Sequence, residues 1–599
     1  MAFPSIKEIS DKAQGAFKRF PVTLIWAVFG SFYCIYHIGN NANNFFDDHL
    51  DVFLTLILGV SWLIGIQFYI EQRGDMKKWQ FSKLVVLVLL FLFYWHLPDV
   101  ERIEDNPIFL GRFFLYFIAG HLFVFFAPFI AKWDKASYWN YLKSIAFAIV
   151  RSALFSGVLY LGLVFALLAI DSLFNVHIPG ERYGQLFIFC LGIVNTWIYL
   201  SDFPKNILEN MTIHFDKALE VFVKYILIPL VMLYIVILYA YSIKILLQWE
   251  LPQGWVSYLV TALAILGFVV QVIINPVQKT IKSWTINSFY PWFYILLLPL
   301  IVLLFTAIFR RIADYGITEN RYFVLIIAFW ILGISLYLLF GKGKSLKVLP
   351  ISLFILALAS SFGPWGAFTV SKNSQVSQFK KVYEQVKSNN KVATFKEYDQ
   401  LKSILNYLDD RKALSRLDET TQISSENAIK DTVNAKFKDY GYLETEKILD
   451  SLGISISAEE LSYNNPNGTY YNYYGDHYSN MTYDISAYQY LSTLTFSSHA
   501  KDNMKIGDYT VLFDTDVVSL SLRANQDSLK VLDMPLKQKL LDLTQHGPDL
   551  GQLDVEEMTL EFKNDSILVQ LIFTDLGFNR SKDSIIINHS RAYMFLKQE

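Results

Sequence analysis

The chain has 599 residues, 53% hydrophobic, 16% aromatic and only 18% charged, which is too apolar for an ordinary soluble protein. A formal net charge of −2, with no basic tract, excludes nucleic acid as a general partner. The two cysteines, Cys34 and Cys190, both lie in apolar blocks, which excludes a disulfide framework and a cysteine-based metal site.

Residues 1–20 read as an amphipathic cytoplasmic lead-in carrying Lys7, Lys12, Lys18 and Arg19. No small-residue cleavage site follows, so the first apolar run is expected to stay as a membrane helix. From there to about Val370 the apolar residues fall in blocks long enough to cross a bilayer, because about 20 residues at a 1.5 Å rise span a core of about 30 Å. About eleven spans are expected, near 22–38, 52–70, 84–97, 108–131, 152–173, 186–200, 221–247, 256–274, 289–309, 322–340 and 348–362.

Lys and Arg are confined to one alternate set of loops: the lead-in, then Arg73 to Lys83, Lys132 to Lys143, Lys205 and Lys217, Lys279 and Lys282, and Lys342 to Lys347. The opposite set holds little beyond Arg102 and Arg182. This bias predicts a cytoplasmic N-terminus and, with an odd number of spans, a periplasmic C-terminal domain. One connection breaks the pattern. "AIFRRIADYGITENRYF", at 307–323, should face outward yet carries Arg310, Arg311 and Arg321.

Residues 368–599 turn polar. Phe379, Val382, Tyr383 and Val386, then Leu401, Ile404, Leu405 and Leu408, recur at helical spacing and predict two amphipathic helices. From about Gly507 the period becomes two: "VVSLSLRA" sets Val518, Leu520 and Leu522 against Ser519, Ser521 and Arg523, and "MTLEFKNDSILVQLIF" reads as two strands joined at Asn564 and Asp565. The expected fold is therefore an all-α membrane bundle over 21–367 followed by a soluble α+β domain over 368–599.

Polar groups inside spans are costly in hydrocarbon, so Arg112, His121, Asn195, Gln271 and Asn275 are candidates for a polar pathway or lipid pocket. Helix-to-helix hydrogen bonding is the competing explanation. Pro229 and Pro299 are candidate kinks, but the membrane half shows no matching pair of repeats. Phosphate-loop, His-Glu-x-x-His and Gly-x-Ser-x-Gly motifs are absent, so no catalytic residue, metal or cofactor is assigned. In "NNPNGTYYNYYGDHYSNMTYD" the tyrosines from Tyr463 to Tyr483 surround Asp476 and His477, an aromatic surface or a turn-rich loop. His499, His546 and His589 are too scattered to argue a metal site.

Much of the 307–323 connection follows hairpin chemistry. Arg310 and Arg311 sit at a helix C-terminus, Gly316 allows the reversal, and Thr318 is placed to cap a helix with Glu319 in its first turn. Tyr315 and Arg321 are left over, and the group is a candidate docking or headgroup-binding turn.

"GHLFVFFAPF", "SALFSGVLYLGLVFALLAIDSLF", "NTWIYL", "RIADYGITENRY" and "GPWGAFTVSKNSQ" resemble the uncharacterised polytopic membrane protein family known as domain of unknown function four-one-five-three. Arg311, Tyr315, Gly316, Thr318, Glu319, Arg321 and Tyr322 match its most recognisable run. The resemblance implies a bacterial inner-membrane protein and brings no activity, substrate or cofactor. The leading expectation is a non-enzymatic envelope protein that presents a periplasmic domain for binding a protein partner or sensing. The alternative is a transporter or lipid-handling protein with His121, Asn195, Gln271 and Asn275 along its pathway. A membrane enzyme acting on lipid-linked substrates comes third. Membrane lipids are expected partners in each case.

Overall fold

The computed structural model describes residues 6–40, 45–73, 75–98, 103, 106–209, 211–213, 215–248, 255–278, 281–341, 345–424, 442–456, 469–475, 484–498, 504–525, 529–547, 551–581 and 584–598. The chain forms two compact units, Met1–Val382 with Ser403–Thr445, and Tyr383–Lys402 with Glu446–Glu599.

The first unit is helical. Among the described residues, ten helices are long and apolar enough to cross a membrane, because their Leu, Ile, Val and Phe runs are broken only at polar turns and satisfy every backbone group internally. Its elements include α1 (Ile6–Arg19), α2 (Pro21–Asn40), α3 (Phe45–Glu71), α4 (Phe81–His96), α5 (Pro107–Phe126), α6 (Lys135–Phe174), α7 (Glu181–Ile188), a π-helical segment (Phe189–Asn195), α8 (Thr196–Ser201), α9 (Ile228–Gln248), α10 (Trp255–Ile274), α11 (Trp284–Tyr315), α12 (Glu319–Phe340) and α13 (Val348–Ser361), while α14 (Ala367–Ser388) and α15 (Phe395–Asp409) each have residues in both units.

Two helices have unusual lengths, α6 running well beyond the expected 152–173 and α13 falling on the expected 348–362 but short for a span. Helix α6 has 40 residues, about 60 Å at 1.5 Å per residue and twice the hydrocarbon thickness. Only its second half is uniformly apolar. Its first half is held by charge, with Lys143 Nζ 2.5 Å from Asp216 and Arg151 Nε 3.1 Å from Asp202. Helix α13 has only 14 residues, yet it runs antiparallel along α12. Ser345 N donates to Tyr337 Oη at 2.8 Å, Trp330 Nε1 to Ser352 Oγ at 2.8 Å, and Tyr322 Oη to the Trp365 carbonyl at 2.7 Å. The short helix and the segment to residue 366 together cover the length of α12 and deliver α14 to the end of the bundle where α12 begins.

At the opposite end Arg19 joins three segments. It makes a bidentate pair with Glu71 at 2.9 and 2.8 Å and donates to the carbonyls of Phe203 and Pro204 at 3.2 and 3.0 Å. Its guanidinium also lies over the rings of Phe20 and Phe68. Planar bidentate pairing and ring stacking together select Arg over Lys at this position.

The two amphipathic helices form as α14 and α15. Phe379, Val382, Tyr383 and Val386 are buried on the first, and Leu401, Ile404, Leu405 and Leu408 on the second. In the second unit β1 (Val392–Ala393) pairs in parallel with β2 (Ser455–Ile456). A six-stranded sheet runs β4 (Tyr490–Thr495), β12 (Ile585–Gln598), β11 (Ile567–Arg580), β3 (Thr469–Gly475), β9 (Gln552–Leu553), with β10 (Thr559–Lys563) also on β11. A four-stranded meander orders β5 (Met504–Ile506), β6 (Tyr509–Asp514), β7 (Ser519–Ala524) and β8 (Lys530–Pro535). The β10–β11 hairpin turns at Asn564, whose Oδ1 accepts from the amides of Ser566 and Ile567, as the strand pattern predicts. Strand β7 differs in part from expectation, since Ser519 and Ser521 are buried along with Leu520 and Leu522 while Arg523 is exposed. The hydroxyl of Ser519 is satisfied by Asp533 Oδ1 at 2.8 Å, so alternation of residue type does not become alternation of burial.

Candidate functional site

Helices α2, α3, α5 and the 187–199 stretch line a half-open cavity of about 410 Å³. That is within the range of small-molecule sites. Its walls are mostly apolar, with Trp26, Leu56, Val60, Phe117, Val124 and Leu191 among them, and no Asp, Glu, Lys or Arg lines it. The helices approach closely because small residues face their neighbours: a Cβ at Gly192 would collide with Ser31 Oγ, and one at Gly120 with Ser61 Oγ. Backbone contact at small residues is the usual device for membrane helix packing.

Two sequence candidates, His121 and Asn195, meet at this cavity. His121 Nδ1 lies 2.8 Å from the Phe117 carbonyl. A carbonyl only accepts, so this ring nitrogen carries a proton, and in the neutral tautomer Nε2 is the acceptor. The His121 side chain is exposed in a span whose flanks are hydrocarbon-like. Asn195 Oδ1 accepts from Ser156 Oγ at 3.3 Å, and its amide donors have no partner among the described residues. Asn195 ends the π-helical segment; such i→i+5 segments occur frequently at functional sites. Ser31, Ser61, Thr196 and Tyr199 add hydroxyls to the lining. The cavity therefore offers neutral hydrogen-bonding groups inside an apolar wall, a chemistry suited to an uncharged polar head on a hydrocarbon body.

The other intramembrane candidates lie elsewhere. Gln271 is 1% exposed and donates to Gln278 Oε1 at 3.2 Å. Asn275 receives Lys135 Nζ on its backbone carbonyl at 3.2 Å. Arg112 donates to His96 Nε2 at 3.0 Å and sits over the Phe368 ring at 5.7 Å.

The 307–323 connection is a packed turn. Gly316 has φ 70 and ψ −177, a region essentially restricted to glycine. Arg321 Nη1 donates to the carbonyls of Tyr315 and Gly316 at 3.1 and 2.8 Å, and its guanidinium lies over the Tyr315 ring at 5.5 Å. A cation thus meets the last carbonyls of α11, where it is favoured. Gln375 Nε2 donates to the carbonyls of Tyr315 and Ile317, both at 3.0 Å, and Ser374 Oγ accepts from Ile317 N at 2.8 Å. Glu319 accepts from Arg411 Nε at 2.8 Å, Arg411 Nη2 at 3.1 Å and Tyr407 Oη at 2.8 Å. Thr318 occupies the N-cap position without a side-chain capping bond. Arg310 pairs with Asp314 at 3.4 Å, and Arg311 is half-buried. The turn holds the chain's own α14 and the stretch after α15.

Sequence reasoning missed Arg411, Tyr407 and Gln375 as the partners of this turn. The available signal was that Tyr315 and Arg321 were in excess of what capping needs, and it pointed to no partner for Glu319. Of the remaining candidates, Asp476, His477 and His499 lie outside the described residues, while His546 pairs with Glu557 at 3.3 Å and His589 with Asp575 at 3.2 Å.

The family described as Domain of unknown function (DUF4153) matches residues 19–393, covering the cavity, the turn, α14 and β1. The chain belongs to this family. It is also 26% identical over 443 residues to a protein of Pasteurella multocida (strain Pm70) described as uncharacterised, an alignment covering 71% of this chain and 66% of that relative. The chain thus spans just under two thirds of the relative's length. No solved structure matches. Family membership and the ten apolar helices make this an integral, multi-pass membrane protein.

Proposed function

We propose that the protein is a lipid-handling membrane protein whose bundle takes up an amphiphile in the cavity between α2, α3, α5 and residues 187–199. The observation that carries this reading is the meeting of His121 and Asn195, each with unused hydrogen-bonding capacity, in one apolar cavity. Polar groups placed so in a membrane protein line ligand or ion pathways by default. A charged substrate is disfavoured, since nothing in the lining compensates a charge. Purification in native lipid followed by mass spectrometry of the retained molecules tests the proposal. The wild type should carry a neutral long-chain molecule, and Val60→Trp, which fills the cavity, should lose it by at least about tenfold. Equal retention by both proteins contradicts the reading.

A second reading is favoured by the distribution of Lys and Arg. It is an inner-membrane envelope protein with a cytoplasmic N-terminus, presenting the α+β domain in the periplasm to a protein partner. Asp516 on that domain and Lys12 on α1 are both exposed. Asp516→Cys should react with a membrane-impermeant maleimide in intact cells, and Lys12→Cys only after lysis. The reverse pattern would invert the topology.

A further inference from the structure

Where α12 begins, positive charge gathers around one lysine. Lys372 lies one turn beyond Phe368 on α14, so the two share a helix face, and the Phe368 ring carries the Arg112 guanidinium at 5.7 Å. At the next position Asn373 Oδ1 accepts from Arg416 Nη1 at 2.8 Å. Arg411 supplies a third guanidinium, but both oxygens of Glu319 are already engaged by it and by Tyr407. Arg112 Nε is buried without a hydrogen-bond partner, and the Lys372 ammonium has none among the described residues. Burial, then the like charges of Arg416 and Arg112, lower the Lys372 pKa, with Glu319 opposing them. Among the described residues Lys372, Arg112 and Arg416 form no ion pair with a carboxylate, and all three keep donors to spare.

We propose that Lys372, Arg112 and Arg416 form a binding site for a phosphate group, carried by an anionic phospholipid headgroup or by a free phosphate. Guanidinium and ammonium donors around one point recognise phosphate through charge-assisted hydrogen bonds. The position fits a headgroup: Arg112 lies in the second turn of the apolar helix α5, and Lys372 on a polar helix that begins where α13 ends. The site is separate from the cavity, because Arg112 and His121 are nine residues apart and point about half a turn out of phase on α5.

The test uses the full chain reconstituted in phosphatidylcholine nanodiscs with or without phosphatidylglycerol, then re-extracted in neutral detergent and assayed for phosphatidylglycerol retained per protein. Inorganic phosphate is offered separately to the lipid-free protein. Wild type should bind at least one of the two. Lys372→Gln and Arg416→Gln should each weaken that binding by about tenfold or more. Lys372→Arg should keep it, as should Lys381→Gln, which removes an exposed charge on the same helix. Retention of phosphatidylglycerol alone identifies the lipid as the source, and binding of inorganic phosphate identifies the free anion. Because Arg416 is exposed, its variant keeps the test valid if Lys372→Gln does not fold. Binding of neither probe by the wild type, or equal losses in Lys381→Gln and the site variants, overturns the proposal.

Discussion

Arg411→Met is expected to destabilise the protein by ~3 kcal/mol, the low end of the range for breaking a buried pair. The low end applies because the side chains of Arg411 and Glu319 retain 14% and 15% exposure. The physical reason is the Glu319 carboxylate. Arg411 reaches it through two nitrogens while stacking on the Tyr407 ring at 3.7 Å, and removing the guanidinium leaves a desolvated negative charge with one phenol donor. Burial and the Glu319 charge both raise the Tyr407 pKa, so Tyr407 stays a donor through the neutral range and can only partly offset the loss. Glu319→Gln/Arg411→Met should recover more than half of the destabilisation, because no uncompensated charge remains. Unfolding midpoints of the two single variants and the double variant in detergent provide the cycle. Additive losses would show that the two residues do not act as a pair.

His121→Leu and Asn195→Leu are each expected to lower retention of the cavity ligand by about tenfold, the loss of one hydrogen bond in a low-dielectric setting. Both variants should keep wild-type abundance and elution. Among the described residues, the one hydrogen bond of the His121 side chain stays within its own helix, to Phe117, and Asn195 makes one at 3.3 Å to Ser156. Neither side chain is a major tie between helices. The double variant should retain almost nothing. Gln271→Leu is a useful contrast: its amide is buried away from the cavity, so it should leave ligand retention unchanged. If Gln271→Leu matched the cavity variants, the ligand would be reporting general bundle stability instead of the His121–Asn195 lining.

The membrane half was largely legible because the physics is local. A block of Leu, Val, Phe and Ile some 20 residues long has one low-energy form in hydrocarbon, and the turns between blocks are marked by Gly, Pro and charge. The same local logic found the β10–β11 hairpin, where Asn564 closes the turn. It did not give the true length of α6, because residues 135–151 are held as helix by ion pairs to Asp202 and Asp216, residues far along the chain. His121 and Asn195 stood out singly because each is expensive in lipid. Their meeting in one cavity depends on Gly120 and Gly192 letting two pairs of helical segments close up, a property of pairs that no single segment records. The turn shows the same limit. Its odd residues were visible, but the partner of Glu319 lies 92 positions away in a stretch with no periodic signal, and Arg321 folds back on the carbonyls of Tyr315 and Gly316 instead of facing outward.

The most direct test of amphiphile binding in the bundle is photolabelling with a neutral long-chain alcohol bearing a diazirine, followed by mapping of the labelled residues. Label concentrated on 26–34, 53–64, 117–124 and 187–199, and suppressed by Val60→Trp, is the predicted result. Label spread over lipid-facing residues such as Leu154, Val158 and Phe165 of α6, which are exposed on the outside of the bundle, with no response to Val60→Trp, would contradict it.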